Sequence, residues 1–384
     1  MTRSKFRPLQ AVMLTSMLGL GTTSLALAQE AEEEDHWYDS LNVGAFVDAY
    51  GAVRSDRNGG PRAPDVSISG QGSPQGYPHE AYVQADGFGL AFAGVDVAYT
   101  GDKFGATISM RFGPGVNRFY AADVSPFGIQ NITQAYATWK PLDKLTLDMG
   151  QFGTIYGAEV AESWRNLNYS RGGLYYAMQP FWHTGLRANY AINDKISVNG
   201  LVVNGVNTAF ENNKSPSLGL QALVTPIDEL MIAVGYLGAL NPSAGGERNS
   251  NFDNFFDLVG TLTIGDFKTV LNADYNLYKL AGESENWWGV SVAPGYSFTN
   301  WIGAAVRVEY LMDSAGILFG ARDSSLTTLT GTLDIKPIPN SGAVVLRPEF
   351  RYELTSDKYF VNNDNNPDDK FWSAHLGVVV TSMK

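Results

Sequence analysis

Hydrophobic and polar residues alternate with a period of two along most of this chain. Between residues 302 and 312, Ile302, Val306 and Tyr310 fall on one face, whereas Arg307 and Glu309 fall on the other. A β-strand has this period because successive side chains point to opposite sides of the sheet. The pattern therefore predicts a series of strands that each carry one apolar and one polar face.

Tight turns and long polar loops join these strand-like segments alternately. The tight turns fall at residues 99–103, 141–144, 193–195, 226–229, 265–266, 298–300 and 337–342. Seven tight turns and eight long loops give sixteen antiparallel strands, the first at residues 41–54 and the last at residues 371–381. The sequence thus predicts an all-β fold, a closed antiparallel transmembrane β-barrel of about 16 strands with short periplasmic turns and long extracellular loops.

A soluble β-sandwich is the alternative interpretation, in which the apolar faces would form the core. So many long strands are unusual in one sandwich, and aromatic residues recur at the strand ends, as they do in membrane-interface girdles. In hydrocarbon, an open sheet edge would leave backbone donors and acceptors unpaired, so we expect the first and last strands to pair. A barrel of this size encloses an aqueous lumen.

The N-terminal segment has the features of an export signal. Arg3, Lys5 and Arg7 precede an apolar stretch at residues 11–25, and Ala-Leu-Ala occupies residues 26–28. A membrane anchor is the alternative, but Thr and Ser interrupt the apolar stretch. We expect a cleaved secretory signal peptide at residues 1–28, an acidic periplasmic leader at 29–40 and the barrel at 41–384. Export of such a barrel predicts location in a bacterial outer membrane, in contact with its lipid.

The composition argues against several other classes of protein. The chain has no cysteine and only four histidines, widely spaced, so we expect no metal site and no cofactor. Its net charge is −12, and loss of residues 1–28 would make it −15, which argues against nucleic-acid binding. Ser373 and His375 invite comparison with a barrel-embedded lipase. Both lie on the polar face of the last strand rather than on the lipid-facing wall, so we expect no enzyme.

The polar strand faces supply the expected pore wall. Its principal members are Arg111, Asp148, Arg187, Arg307, Glu309, Arg347, Glu349 and Arg351. The other charged residues assigned to it are Arg54, Lys140, Lys268, Lys336, Asp48, Asp96, Asp257, Asp274, Asp334 and Glu353. Because the wall carries nine basic and nine acidic residues, we expect weak ion selectivity, with a slight cation preference from the acidic loops.

The loop at residues 156–181 has two interpretations. It is either an ordinary surface loop or a segment folded into the lumen that narrows the pore. Loops of this length without secondary structure usually have a function. Its charged residues Glu159, Glu162, Arg165 and Arg171 are the candidate constriction residues. The two glutamates are expected to face wall arginines across the narrowest level, drawn from Arg111, Arg187, Arg307, Arg347 and Arg351.

Several short motifs lie in and around this loop. They are GQFGT at 150–154, GAE at 157–159, NLNYSR at 166–171, QPFWHTG at 179–185, VNG at 203–205 and NN at 212–213. With FVDAY at 46–50, these motifs resemble those of the OmpL-like outer-membrane β-barrel porins. The resemblance is specific between residues 146 and 216. It implies a porin-type barrel and supplies no substrate.

Small side chains predominate on the outward faces of the early strands. They are Ala45, Ala49, Gly51, Ala91, Ala93, Ala135 and Ala137. These residues either relieve crowding in a curved sheet or allow close contact between proteins in the membrane. With the porin resemblance, the second interpretation implies a homotrimer whose interface is the N-terminal third of the chain.

The sequence therefore predicts a porin, a water-filled channel for passive diffusion of small hydrophilic solutes and ions. Two alternatives remain open. One is a structural, scaffolding or adhesin-type barrel without channel activity, and the other is a solute-specific channel.

Overall fold

The computed structural model describes residues 37–55, 86–119, 129–211, 215–239, 254–280, 283–316, 318–319, 321–339, 341–364 and 366–383. The expected signal peptide, most of the expected leader and the loop at 56–85 lie outside these ranges. No helix within them is long and apolar enough to cross a membrane.

Sixteen strands form one closed barrel. They are β1 (Leu41–Arg54), β2 (Gly87–Thr100), β3 (Phe104–Phe112), β4 (Ile132–Leu142), β5 (Leu145–Gly153), β6 (Trp182–Asn193), β7 (Ile196–Val203), β8 (Ser217–Ile227), β9 (Leu230–Ala239), β10 (Asn254–Ile264), β11 (Phe267–Leu280), β12 (Glu283–Ser297), β13 (Ile302–Asp313), β14 (Ser324–Ile335), β15 (Val344–Thr355) and β18 (Lys370–Thr381). The short strands β16 (Phe360–Val361) and β17 (Pro367–Asp368) pair with each other outside the barrel sheet.

The helical elements are short and lie in the connections. They are α1 (Pro114–Phe119), α2 (Gly173–Ala177) and 3₁₀ turns at Trp37–Ser40, Ile129–Asn131 and Ser163–Arg165. The last of these turns and α2 belong to the loop at residues 156–181, which we call the inner loop.

Pairing between the first and last strands closes the sheet. Strand β1 pairs antiparallel with β18, with Asp48 opposite Val379 and Ala52 opposite His375. The prediction that these strands meet is confirmed, as are the seven tight turns, each of which joins two neighbouring strands. Closure gives every barrel strand two hydrogen-bonded neighbours, as a sheet in hydrocarbon requires.

The two faces of the sheet differ as the alternation predicts. On β13, the outward side chains of Val306 and Val308 are each 43% exposed, whereas Arg307 between them is 2% exposed. The apolar residues therefore face the surroundings of the barrel, and the charged residues face its interior. A soluble sandwich would show the opposite arrangement.

One outward assignment is wrong, because a β-bulge shifts the register of β2. Asp48 lies opposite Phe92 and Ala49 lies opposite Leu90, so Ala91 is an extra residue with no partner on β1. Ala91 is fully buried in an apolar cluster with Phe92. A bulge inserts one residue into the alternation and so reverses the phase of the strand beyond it.

The inner loop runs inside the barrel. The Thr154 N–H donates to the Phe181 carbonyl and ties the two ends of the loop together. Apolar side chains of the loop, including Leu174 and Met178, pack with Trp287, Leu311 and Leu326 of the wall. This packing holds the loop against the inward faces of β12, β13 and β14.

Candidate functional site: the inner loop and the charged wall

The two glutamates of the inner loop form ion pairs with wall arginines on different strands. Glu159 Oε1 lies 2.6 Å from Arg307 Nη1 on β13. Glu162 Oε1 lies 2.7 Å from Arg111 Nε on β3. The opposed charges are thus in direct contact rather than separated by an open gap, and the loop is bound at two places on the barrel circumference.

Burial and charge act differently on these two carboxyl groups. Burial alone would raise the pKa of Glu162, but the guanidiniums of Arg111 and Arg165 outweigh it and lower the pKa from 4.5 to about 2. Burial also raises the pKa of Glu159, and there the attraction of Arg307 does not compensate, partly because Glu309 lies nearby. Glu159 is therefore the more readily protonated of the two.

Two arginines of β15 bind the backbone of the inner loop. Arg347 donates from Nη1 to the Ser163 carbonyl at 2.5 Å, and from Nη2 to the carbonyls of Asn166 at 2.9 Å and Leu167 at 2.8 Å. Its Nε lies 2.6 Å from Asp334. A fourth bond runs from Nη1 to the Asn168 carbonyl at 3.4 Å. One guanidinium thus neutralises a wall carboxylate and donates to four loop carbonyls, as its fixed fork of five donors allows.

Arg351 holds the next part of the loop in the same way. It donates from Nη1 to the Arg171 carbonyl at 2.5 Å and to the Ser170 hydroxyl at 3.1 Å. Its Nε lies 2.5 Å from Glu353, and both side chains are fully buried. Arg307 adds a hydrogen bond to the Ser170 carbonyl at 2.7 Å and an ion pair with Glu309 at 3.0 Å.

Wall carboxylates complete the attachment by accepting hydrogen bonds from the loop. Glu349 accepts from the backbone N–H groups of Tyr169 at 2.6 Å and Ser170 at 3.0 Å. Asp48 accepts from the Ser163 hydroxyl at 2.6 Å and from the Tyr169 hydroxyl at 3.0 Å. Strands β1 and β15, which both pair with β18, therefore accept hydrogen bonds from the same part of the loop.

The other two candidate loop residues are also inside the barrel. The Arg165 guanidinium lies 3.5 Å from Asp96 and 4.6 Å from the centre of the Trp164 ring. Arg171 is fully buried, with its guanidinium 5.9 Å from the centre of the Tyr169 ring. Asp96 in turn lies 2.6 Å from Arg111, so Arg165 joins the ion-pair group around Glu162.

Asp148 and Arg187 are not brought together with the loop. They pair with each other at 2.8 Å, and Arg187 lies 4.6 Å from the centre of the Phe152 ring. Among the described residues, no hydrogen bond or ion pair joins either side chain to the inner loop. Some residues of the predicted wall thus bind the loop, whereas Asp148 and Arg187 neutralise each other's charge without contacting it.

Two polar residues that sequence reasoning did not single out also join loop and wall. Gln179 of the loop donates from Nε2 to Asn272 Oδ1 of β11 at 2.5 Å, and the Ala158 N–H donates to the same oxygen at 3.1 Å. Gln179 opens the QPFWHTG motif, which was a signal for it. Asn272 carried none, because an uncharged residue on a polar face is ordinary for a barrel.

Ser373 and His375 lie on the inner face of β18, buried at 0% and 5% exposure. A lipase acting on membrane lipid would need them on the outer wall. Across the part of the chain that the structure describes, no three His, Asp or Glu residues are grouped to hold a metal ion.

A closed 16-stranded barrel with an apolar exterior, a charged interior and a loop folded inside defines an outer-membrane β-barrel of the porin type. Residues 40–380 match the family model described as "Putative beta-barrel porin-2, OmpL-like". The chain belongs to this family, which confirms the resemblance in its motifs. It is an outer-membrane porin, a channel for solute diffusion.

Solved structures agree on the fold. OmpT of Vibrio cholerae in a trimer form is similar with a TM-score of 0.57 at 15% identity, covering 89% of this chain and 98% of that one. An anion-selective porin from Comamonas acidovorans has a TM-score of 0.57 at 10% identity, covering 89% and 99%. Salmonella typhi OmpF in complex with daunomycin has a TM-score of 0.56 at 11% identity, covering 90% and 99%. None of the curated proteins matches the chain.

Proposed function

We propose that this porin lets small hydrophilic solutes and ions diffuse passively through a lumen that the inner loop narrows. The observation that carries the proposal is the binding of the loop backbone by Arg347 and Arg351, both at most 1% exposed. A loop held by buried guanidiniums on the wall has a defined position in the cross-section. Glu159, Glu162, Arg165 and Arg171 are then the constriction residues.

The chemistry of the wall supports polar rather than apolar solutes. Charges of both signs around a narrow passage orient water and dipolar molecules and disfavour apolar ones. Because most of these charges are in ion pairs, we expect weak ion selectivity. The channel role does not involve catalysis, and the proposed signal peptide at 1–28 and leader at 29–40 accord with export to the outer membrane.

Deleting residues 161–173 tests the constriction. Removal of this segment takes away the loop carbonyls that Arg347 and Arg351 bind, so single-channel conductance in planar bilayers should rise. The matched control is deletion of residues 362–366, which lie between β16 and β17 outside the barrel sheet. This control should leave the conductance unchanged.

The outcome separates the proposal from its alternatives. Unchanged conductance in a correctly folded 161–173 deletion would rule out the constriction. Absence of any conductance in the wild type would favour a scaffolding barrel, and block by one solute would favour a solute-specific channel.

We further propose that the porin assembles as a homotrimer through the outer faces of β1 and β2. The small residue Ala93 lies opposite Val47 there, and Ala49 lies nearby on β1. The trimer form of the similar Vibrio cholerae OmpT supports this assembly. Ala49→Trp and Ala93→Trp should dissociate the trimer in mild detergent, as measured by light scattering, whereas Val306→Trp on the outer face of β13 should not. A monomeric wild type, or two tryptophan variants that stay trimeric, would disprove the interface.

A further inference from the structure

A cavity lies between the inner loop and the wall at the periplasmic end of the lumen. Its volume is about 140 Å³, and it is lined by residues of β11 to β14 and of the tight turns that follow β10 and β12. Leu167 is the residue of the inner loop that lines it. A space of this size holds several water molecules, so a small solute fits in it.

The part of the wall under the cavity consists of small residues. Gly295 of β12 lies opposite Ala305 of β13, and Ser297 of β12 lies opposite Gly303 of β13. A Cβ atom at Gly295 would come within 3.1 Å of Leu167 Cδ2, so the leucine rests on this glycine. Beside this contact, the small side chains of β12 and β13 leave the space open.

Charged residues of both signs flank these small residues on either side. On β11 and the turn before it they are Asp266 and Lys268, and Lys268 lies opposite Gly295. On β14 and directly after it they are Asp334 and Lys336. Each flank of the cavity thus combines one carboxylate with one ammonium group.

The two lysines of the cavity differ from the wall arginines in having no partner carboxylate. In the described part of the chain, no ion pair joins Lys268 or Lys336 to a carboxylate, although an aspartate lies two residues before each. The wall arginines that do pair with a carboxylate are Arg111, Arg187, Arg307, Arg347 and Arg351. Lys268 and Asp266 are also exposed, so both charges are accessible to a solute.

The inner loop gives the cavity a fixed shape. Arg347 donates from Nη2 to the Leu167 carbonyl at 2.8 Å, and its Nε lies 2.6 Å from Asp334 Oδ1. One guanidinium therefore positions both the loop residue that lines the cavity and the carboxylate on one flank. On the other side, the Thr299 hydroxyl accepts hydrogen bonds from the N–H groups of Trp301 at 3.2 Å and Ile302 at 3.1 Å, which orders the turn.

We propose that this cavity binds a small zwitterion of the amino-acid class during its passage through the lumen. Lys268 and Lys336 bind the carboxylate of the solute, and Asp266 binds its ammonium group. A simple anion is repelled by the aspartates, a simple cation is repelled by the lysines, and an uncharged solute pairs with neither. Only a solute that carries both charges uses both kinds of residue.

The assignment rests on the proposed diffusion of solutes through the lumen and names a solute class for it. Charge pairs that are partly exposed to water are weak. Weak binding suits a channel, because a solute must bind well enough to enter and loosely enough to leave.

Saturation-transfer NMR tests the site on the folded protein in an uncharged detergent, with glycine, acetate, methylammonium and glycerol each titrated at pH 7. Glycine should bind more tightly than the other three. Lys268→Gln and Asp266→Asn should each weaken glycine binding by about threefold or more. Both residues are exposed, so neither change removes a buried contact. The matched control is Lys140→Gln on β4, outside the cavity, which should bind glycine as the wild type does.

Three results would overturn the proposal. They are equal glycine affinity in the wild type and both cavity variants, equal binding of all four probes, and acetate binding that matches glycine and strengthens in Asp266→Asn. The last result would identify an anion site. Because binding is measured without a membrane, the outcome is independent of conductance. A barrel that conducts without binding glycine contradicts the site alone, whereas one that binds glycine without conducting contradicts the proposed channel.

Discussion

Two parts of the inner wall hold the same loop by opposite chemistry. On β13 and β15, the guanidiniums of Arg307, Arg347 and Arg351 donate to backbone carbonyls of the loop and pair with neighbouring carboxylates. On β10 and β11, the side chains of Asp257 and Asp274 present acceptors to the loop, and no guanidinium neutralises them among the described residues.

The difference shows what an arginine adds to a buried polar contact. A guanidinium can bind a carboxylate and several backbone carbonyls at once, so Arg307, Arg347 and Arg351 each join a wall carboxylate to the loop. A carboxyl group only accepts when ionised, and two of them together accumulate charge. Asp257 and Asp274, which lie opposite each other, therefore repel each other when both are ionised.

The largest effect is expected from removing an arginine that binds the loop. Arg347→Met removes the ion-pair partner of Asp334 and the donor to four loop carbonyls, and Arg187→Met removes the ion-pair partner of the buried Asp148. Each should lower the free energy of unfolding in urea by about 3 kcal/mol. Only Arg347→Met should also raise single-channel conductance, because Arg187 does not contact the loop. Equal conductance changes in both variants would contradict a specific role of the arginine wall.

The next largest effect is expected from replacing one buried carboxyl by an amide, because the change in stability should differ between a carboxyl that pairs with arginine and one that does not. Asp148→Asn leaves Arg187 as an unpaired buried charge and should destabilise the barrel by about 3 kcal/mol. Asp257→Asn removes repulsion while keeping the shape of the side chain, so its unfolding free energy should stay within about 1 kcal/mol of the wild type. A large loss in Asp257→Asn would mean that its charge is already compensated.

A smaller effect is expected from pH. The pKa of Glu159 lies above 4.5, so its charged form is disfavoured in the fold, and its contribution to stability is present below pH 4.5 and lost as pH rises through the raised pKa. The pKa of Glu162 is lowered to about 2, so its contribution is present above pH 4.5 and lost as pH falls towards 2. Acidification from pH 7 should therefore protonate Glu159 before Glu162 and weaken the ion pair between Glu159 and Arg307.

Channel recordings at decreasing pH would show this order. The groups that face Glu159 are Arg307, Glu309, Arg171 and the Gly172 N–H. The wild-type conductance should change before pH 4.5 is reached. Because glutamine resembles a protonated glutamate, Glu159→Gln should have the low-pH conductance already at pH 7 and should show no such change on acidification. Glu162→Gln should keep the transition. Persistence of the transition in Glu159→Gln would disprove the assignment.

Much of the barrel could be predicted from the sequence because its signals are local. The alternation of Ile302 to Met312 and the residues of the tight turns each specify a strand or a turn without knowledge of its neighbours. The burial of Ala91 could not be predicted, because a bulge is a property of the register between β1 and β2. One inserted residue then reverses the inward or outward assignment that the two-residue period of a strand gives.

The site was predictable in its charges but not in its pairings. Complementary charge indicated that Glu159 and Glu162 would meet arginines, yet the choice of Arg307 and Arg111 depends on how the closed barrel places β13 and β3 around the loop. Asp257 and Asp274 contributed two of nine acidic residues to a balanced total. A total taken over the whole wall does not reveal that these two lie next to each other.

The arginine contacts of the loop also bear on the order of folding. Arg111 is 51 residues from Glu162 in the chain, whereas Arg347 is 184 residues from Ser163 and Arg351 is 180 from Arg171. Contacts at such separation form late, since the ends of a long chain segment must first be brought together. The loop is synthesised well before β15 and remains without these donors until the C-terminal strands are in place. Protection of its backbone from hydrogen exchange would therefore report that the sheet has closed.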